Sequence, residues 1–337
     1  MSLLLLALLA APAPVEPGED DAWLRAMPDD TDVVAVFDVK RFMDSDLVKK
    51  GLGGKLPPLL DDKFLVPIPL KPLGVDPSKD LKQMAVVMGR SLWLDKDGKP
   101  ASGGGLFVLM RTGKSEASIR GKLAELAKAG TEGFKELPGG KVYEYSGKGP
   151  RGAVAVLPGG VLALGENARP LEMALERVKT GKKPAFKHAE MAKFLKSLKP
   201  GPLLSMRMLG DAVVSAHSTG RKGPAGGPVQ FETKLVTLSE SGFEAVTVSA
   251  TVKETIKGKC ELLCKDADLA AKKAKEFDGL RALVLPMLQE QAKGMPALAP
   301  VLKAFENAKI GSKDKAVVIE AEIGPDVVKA LELAPDR

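Results

Sequence analysis

FEAVTVSATVKETIKGKCELLCKDADLAAKKAKEF, residues Phe243 to Phe277, reads as strand, turn, strand and helix, and its pattern is the plainest in the chain. Val246, Val248, Ala250 and Val252 alternate with Thr247, Ser249 and Thr251. A period of two marks a half-buried antiparallel strand. After a turn, Cys260, Leu262 and Cys264 alternate with Lys259, Glu261 and Lys265, and only Leu263 breaks the rule. Asp266 or Asp268 is placed to cap a helix, in which Leu269, Ala270, Ala274, Phe277, Leu280 and Val284 recur at helical spacing.

Working outward, the same rules give an α+β chain of mainly antiparallel sheets with helices packed on one face. Val33 to Phe37 is a buried-strand run, followed by a helix near Lys40–Lys50 that is interrupted at Asp44-Ser45-Asp46. Gln83–Leu94 and Gly105–Arg111 are strands joined at Asp97-Gly98, and a helix over Ser115–Ala129 turns Ile119, Leu123 and Leu126 inward. Leu-Pro-Gly-Gly occurs twice, at 137–140 and 157–160, each time supplying turn dihedrals between strands. Asn167 caps a helix carrying Leu171, Ala174, Leu175 and Val178, and a further helix spans Phe186–Leu198. Leu203–Met208 is a strand, with a short helix expected from there to residue 215. Ser218–Pro228 lacks any period and reads as a flexible connector, set at about 215–228. Pro286, Gly294, Pro296 and Pro300 are expected to break a long helical region into pieces, before a strand at Val317–Ile323 and a last helix opened by Pro325. Set side by side, 33–200 and 201–337 follow one coarse order, which predicts a tandem duplication of a strand-helix plus hairpin-helix-strands-helix unit.

Residues Leu3–Ala11 form a Leu/Ala run followed by small residues and prolines, the build of a secretory leader over 1–13. That run is far shorter than the roughly 20 apolar residues a spanning helix needs. The expectation is export to the periplasm or beyond, with no transmembrane anchor once the leader is removed. An acidic, mobile lead-in is expected to follow over 14–32. The chain carries +7 overall and this lead-in −6, so Val33 onward carries +13. A basic body points to an anionic partner or surface.

The opening DTDVVAVFDVKRFMDSDLV (30–48) and the hairpin-helix VLPGGVLALGENARPLEMALERV (156–178), set behind the leader, resemble exported bacterial proteins of unknown function. The resemblance lies in pattern and covers most of the chain beyond the leader. It implies compartment and architecture and brings no catalytic residues.

Chemistry is thinly signalled. Thr112-Gly113-Lys114-Ser115 sits between a strand and a helix, but the first glycine of a phosphate loop would fall at Val108, inside the strand. Cys260 and Cys264, four apart on a strand, have Cα atoms about 13 Å apart, beyond the roughly 7 Å reach of a disulfide. With only His188 and His217 besides, there is no recognisable zinc set. Ser215 and Ser218 flank His217 without a nucleophile elbow. Asp95-Lys96-Asp97-Gly98 lacks the later ligands of a calcium loop, and Asp61-Asp62 reads as solvated. No catalytic residue, metal site or cofactor is therefore assigned. The remaining signal is basic: seven lysines lie between Lys179 and Lys199 against Glu190 alone. Lys182, Lys183, Lys193 and Lys196 are the candidate anion-binding residues. Nucleic acid is not expected, because Phe186 and Phe194, the aromatics of the segment, are committed to the core and leave no stacking platform. The reading is an exported, non-enzymatic envelope binding or structural protein. The alternative is a hydrolase of envelope polymers acting through dispersed carboxylates.

Overall fold

The computed structural model describes residues 22–51, 70–89, 92, 107–130, 133–146, 151–181, 185–198, 202–210, 212–221, 230–292 and 299–326. In chain order these form α1 (Ala22–Ala26), β1 (Thr31–Phe37), α2 (Val39–Asp44), β2 (Leu81–Gly89), β3 (Phe107–Thr112) and α3 (Glu116–Ala129). There follow β4 (Phe134–Glu136), β5 (Val142–Tyr145), β6 (Gly152–Leu157), β7 (Val161–Gly165), α4 (Ala168–Thr180) and α5 (Ala189–Ser197). The rest comprises β8 (Leu204–Leu209), β9 (Val213–Arg221), β10 (Gln230–Thr237), β11 (Phe243–Val252), β12 (Ile256–Cys264), α6 (Ala267–Ala292), α7 (Ala299–Glu306), β13 (Lys309–Lys313) and β14 (Ala316–Ile323).

The fold is α+β, built on one 12-stranded sheet in the order β13-β14-β12-β11-β8-β1-β2-β3-β7-β6-β5-β4. Its neighbours pair antiparallel, and β1 and β8 meet near its centre, where Val33 faces Met208 and Phe37 faces Leu204. Outward from that seam the strands run β1-β2-β3-β7-β6 on one side and β8-β11-β12-β14-β13 on the other.

Cover differs between the sides. Every residue of β6 and β7 is buried, because helices press on both faces. Ile119 and Leu123 of α3 join Val154 and Leu162 on one face. Trp23 of α1, Leu171 and Ala174 of α4, and Met191 and Leu195 of α5 join Ala155 and Ala163 on the other. Their sequences, GAVAVL and VLALG, are accordingly continuous apolar runs, the signature of a strand covered twice. Beyond β8 the cover is single. Ala270 and Ala274 of α6 pack with Phe243, Cys264 and Val317, and β11, β12 and β14 alternate apolar with polar as one-sided strands do.

Helix starts follow the side chains expected to cap them. Asn167 Oδ1 accepts the Arg169 amide at 3.1 Å, Ser115 Oγ accepts the Ser118 amide at 3.2 Å, and Asp266, rather than Asp268, caps α6 by accepting the Leu269 amide at 2.8 Å. The break expected near Ser45 is present: α2 ends at Asp44, and a short π turn, Leu47–Gly51, follows.

Three expectations are corrected. The flexible connector is not one over its first part, since Ser215–Arg221 lie in β9, paired antiparallel with β10; residues 222–229 lie outside the described residues. The β9 sequence, VVSAHSTGR, carries no alternation of apolar and polar residues to read. The short helix expected before residue 215 is replaced by a turn closed by the Ala212 amide on the Leu209 carbonyl at 2.9 Å. Pro286 does not end the long helix, because α6 continues through it to Ala292. One lost amide donor is borne within so long an element. The Asp97-Gly98 turn and the helix expected from Pro325 lie outside the described residues.

The twin Leu-Pro-Gly-Gly turns share dihedrals but not surroundings. Gly140 (φ 68°) and Gly160 (φ 73°) are both left-handed. A Cβ on Gly140 would meet the carboxylate end of Glu136, which can swing away. One on Gly160 would overlap the Lys114 backbone carbonyl. Gly160→Ala is therefore expected to destabilise the protein by about 2–3 kcal/mol and Gly140→Ala by about 1 kcal/mol, as read by urea unfolding. Equal losses would contradict this difference in packing.

Candidate ligand-binding face

On the uncovered face of the second half, the register sets Arg207 of β8 beside Thr247 of β11, Thr247 beside Glu261 of β12, and Glu261 beside Val318 of β14. These residues alternate out of strands whose opposite face feeds the core, so their side chains must meet water or a partner. An open cavity of about 460 Å³ lies here, lined by Arg207, Thr247, Glu261, Leu263 and the Lys313–Ala316 turn. Leu263, the break in the β12 alternation, belongs to its lining. The turn is tight, with Asp314 at φ 52°, a conformation aspartate tolerates better than most residues. It is anchored from behind by the Cys264 amide donating to the Lys315 carbonyl at 2.7 Å.

Arg207 is the central donor. One terminal guanidinium nitrogen donates to Thr247 Oγ1 at 2.5 Å, while its Nε is buried without a hydrogen-bond partner. An orphaned buried donor of a charged group is costly unless something is bound there. Three cations, Arg207, Lys313 and Lys315, face Glu261 and Asp314 across the cavity. Of these carboxylates, Glu261 is engaged by Lys259 at 2.8 Å. The balance is positive, and Arg207 is held in place by its bond to Thr247.

α5 lies on this side of the sheet. Met191 and Leu195 bury into the core, and the helix passes close enough to β8 for the Arg207 charge to contribute to the lowered proton affinity of Glu190, after the larger effect of Lys193. Two of the four candidate lysines are thus placed. Lys193 Nζ is 2.8 Å from Glu190 Oε1, and Lys196 is exposed. Lys182 and Lys183 lie outside the described residues. Arg207, Lys313 and Lys315 were not singled out by sequence, because a cation alternating out of a strand looks like ordinary solvated surface.

The other motifs resolve into structure. Thr112 Oγ1 donates to the Gly160 carbonyl at 3.0 Å and accepts the Lys114 amide at 3.2 Å. Lys114 Nζ sits 3.3 Å from Asp80, so Thr112-Gly113-Lys114-Ser115 is a satisfied strand-to-helix turn. Cys260 and Cys264 are free, Cys264 fully buried, and burial pushes the Cys260 thiol up to about 11. His188 Nε2 is 3.4 Å from Asp32 Oδ1 at the start of α5. Nothing is described of the side chain of His217, and Asp61, Asp62 and Asp95–Gly98 lie outside the described residues. Among the described residues there is no cluster of three or more metal-ligating side chains, and no helix is long and apolar enough to cross a membrane.

Two carboxylic acids are shifted upward, as a hydrolase acid would need. Burial raises Asp38, against the lowering effect of the Arg41 amide it caps, and burial raises Glu166. They stand at opposite ends of the strands. Asp38 follows Phe37, whereas Glu166 follows Gly165, whose level passes through Phe107 and Val87 to Val34. The separation exceeds about 15 Å, against roughly 5–10 Å for a carboxylate pair flanking one glycosidic bond.

No family model matches the chain, and no curated protein matches it. A solved structure titled "Structure of crystal form I of TP0453" is similar over 92% of this chain and 96% of that chain, with 9% identity and a TM-score of 0.42. That likeness carries no argument about function.

Glu166 gives a pH signature. A carboxyl whose folded value is raised holds its proton more tightly folded than unfolded, so its ionisation weakens the fold. Stability is lost as pH rises from the ordinary carboxylate range through the folded value. Glu166→Gln is expected to leave stability unchanged in acid and to raise it at neutral pH, by at most about 1 kcal/mol given partial exposure. Thermal melts across pH check this, and an equal shift at both ends would contradict it.

Proposed function

We propose that the chain is an exported, non-enzymatic binding or structural protein of the cell envelope that meets anionic polymers on the uncovered half of its sheet. The observation that carries this reading is Arg207, whose buried Nε has no partner beside a cavity flanked by Lys313 and Lys315. A phosphate or carboxylate oxygen supplies the missing acceptor, and Arg binds such groups through a fixed fork of donors. Lys193 and Lys196 extend the basic character along α5 on the same side, as diffuse contacts. The leader-like Leu3–Ala11 run supports export. The separation of Asp38 from Glu166 disfavours the hydrolase reading, since no described pair of raised carboxylates faces a common space. The matching outward order of strands on the two sides of the β1–β8 seam supports reading the halves as copies of one unit, the first with cover on both faces. Superposition of β1 on β8 would then align the remaining strands pairwise, and a register shift in any pair would contradict it.

Binding is tested with polyphosphate and with polyglutamate at low and high salt. Each exposed contact contributes from a few tenths to about 1 kcal/mol, so affinity requires several together and weakens with salt. Arg207→Met combined with Lys313→Glu and Lys315→Glu is expected to weaken binding by about tenfold or more. Lys193→Glu with Lys196→Glu is expected to weaken it less. Binding that is absent, or indifferent to both salt and the triple substitution, would overturn the proposal.

A further inference from the structure

The large apolar side chains exposed among the described residues all lie on one helical hairpin. Leu280, Leu283, Val284 and Met287 of α6 are 54%, 67%, 36% and 63% exposed, and Phe305 of the adjoining α7 is 39% exposed. The sequence rule that places Leu280 and Val284 in the core fails here, because only the first half of α6 lies on the sheet. Ala270 and Ala274 are buried, and no described side chain of α6 beyond Ala274 is. The positions 280, 283, 284 and 287 recur at i, i+3, i+4 and i+7 and make one narrow stripe. Leu285 and Leu288, off that stripe, are half-buried.

The spacing and the charges around the stripe select its occupant. A stripe of this width matches the seam that one helix presents to another. Between Arg281 and Glu290 there is no charged residue. Arg281 is paired with Asp278 at 2.5 Å and Lys273 with Glu276 at 3.0 Å, and over the whole hairpin Lys272, Lys273, Lys275, Arg281 and Lys303 are balanced by Asp268, Glu276, Asp278, Glu290 and Glu306. Arg281 is further committed to the Ala308 carbonyl. An anionic lipid surface is therefore offered no net positive charge by this hairpin. A locally neutral border suits a surface identical to itself, since a two-fold axis brings matching patches together without like-charge repulsion. We propose that this face is where a second copy of the chain docks, two α6–α7 hairpins packing antiparallel as a four-helix contact. The stripe is small beside the roughly 800 Å² per partner of a standard interface, so the dimer is a weak, reversible one.

Sedimentation velocity of the full chain over a hundredfold concentration range tests this. The wild type is expected to pass from monomer to dimer, and Leu283→Glu with Met287→Glu to shift the midpoint to at least about tenfold higher concentration with unchanged circular dichroism. As an independent check, Leu283→Cys is expected to give a disulfide-linked dimer on mild oxidation, while Lys122→Cys, on exposed α3, gives none. A wild type that stays monomeric throughout would overturn the proposal. So would a dimer indifferent to the Glu substitutions. Flotation of the wild type with phosphatidylcholine–phosphatidylglycerol vesicles, lost in the same double variant and without any dimer, would assign the face to lipid instead.

Discussion

The antiparallel pairing of β1 with β8 is the constraint on which the rest of the structure depends. It joins strands some 170 residues apart in sequence, Val33 to Met208 through Phe37 to Leu204, and makes one sheet of two. Without it, β1 and β8 would each present an open edge, a template for wrong pairing. With it, β1 and β8 are both interior. Val33, Phe37, Leu204 and Met206 become part of a single cluster that also holds Ile119 of α3 and Ile256 of β12. The core of the first half and that of the second are therefore continuous.

The unequal cover of the two sides follows from sequence and leads to the site. Where strands are apolar at every position, as in β6 and β7, helices sit on both faces. Where Thr247, Glu261 and Lys259 alternate with valines, cysteine and leucine, one face is left to water. A flat polar face would be only a solvated surface. Here Arg207 is pinned to Thr247 and has a buried nitrogen left over, while the Lys313–Lys315 turn rises beside it. Fixed donors around a shallow cavity are more specific than lysines on an exposed helix, which move with their stems.

Much of the fold was legible because burial imposes a period. The β11–β12 hairpin, the Asp266 cap and the start of α6, the helices at 116–129 and 168–180, and both Leu-Pro-Gly-Gly turns were readable from alternation, spacing and turn chemistry. The β9–β10 ribbon, which pairs outside the main sheet, was not, since VVSAHSTGR has no period. α6 was misread in the opposite sense, because a helical apolar stripe marks what should be covered and says nothing about which molecule covers it. The site was legible only as charge. The lysines near α5 stood out by number, whereas Arg207 depends on a partner 40 residues away, a proximity that only the sheet register creates. The raised carboxyls of Asp38 and Glu166 were equally invisible, since burial at strand ends is a property of the packed sheet.

The claim that the uncovered half-sheet is the ligand surface is tested most directly by amide hydrogen exchange with and without polyphosphate at low salt. The account predicts added protection over 204–209, 245–251, 257–263 and the 313–318 turn, reversed by high salt. The helices on the opposite face, α3 among them, should be unchanged. Protection confined to other elements, or spread evenly over every lysine-bearing surface, would contradict it.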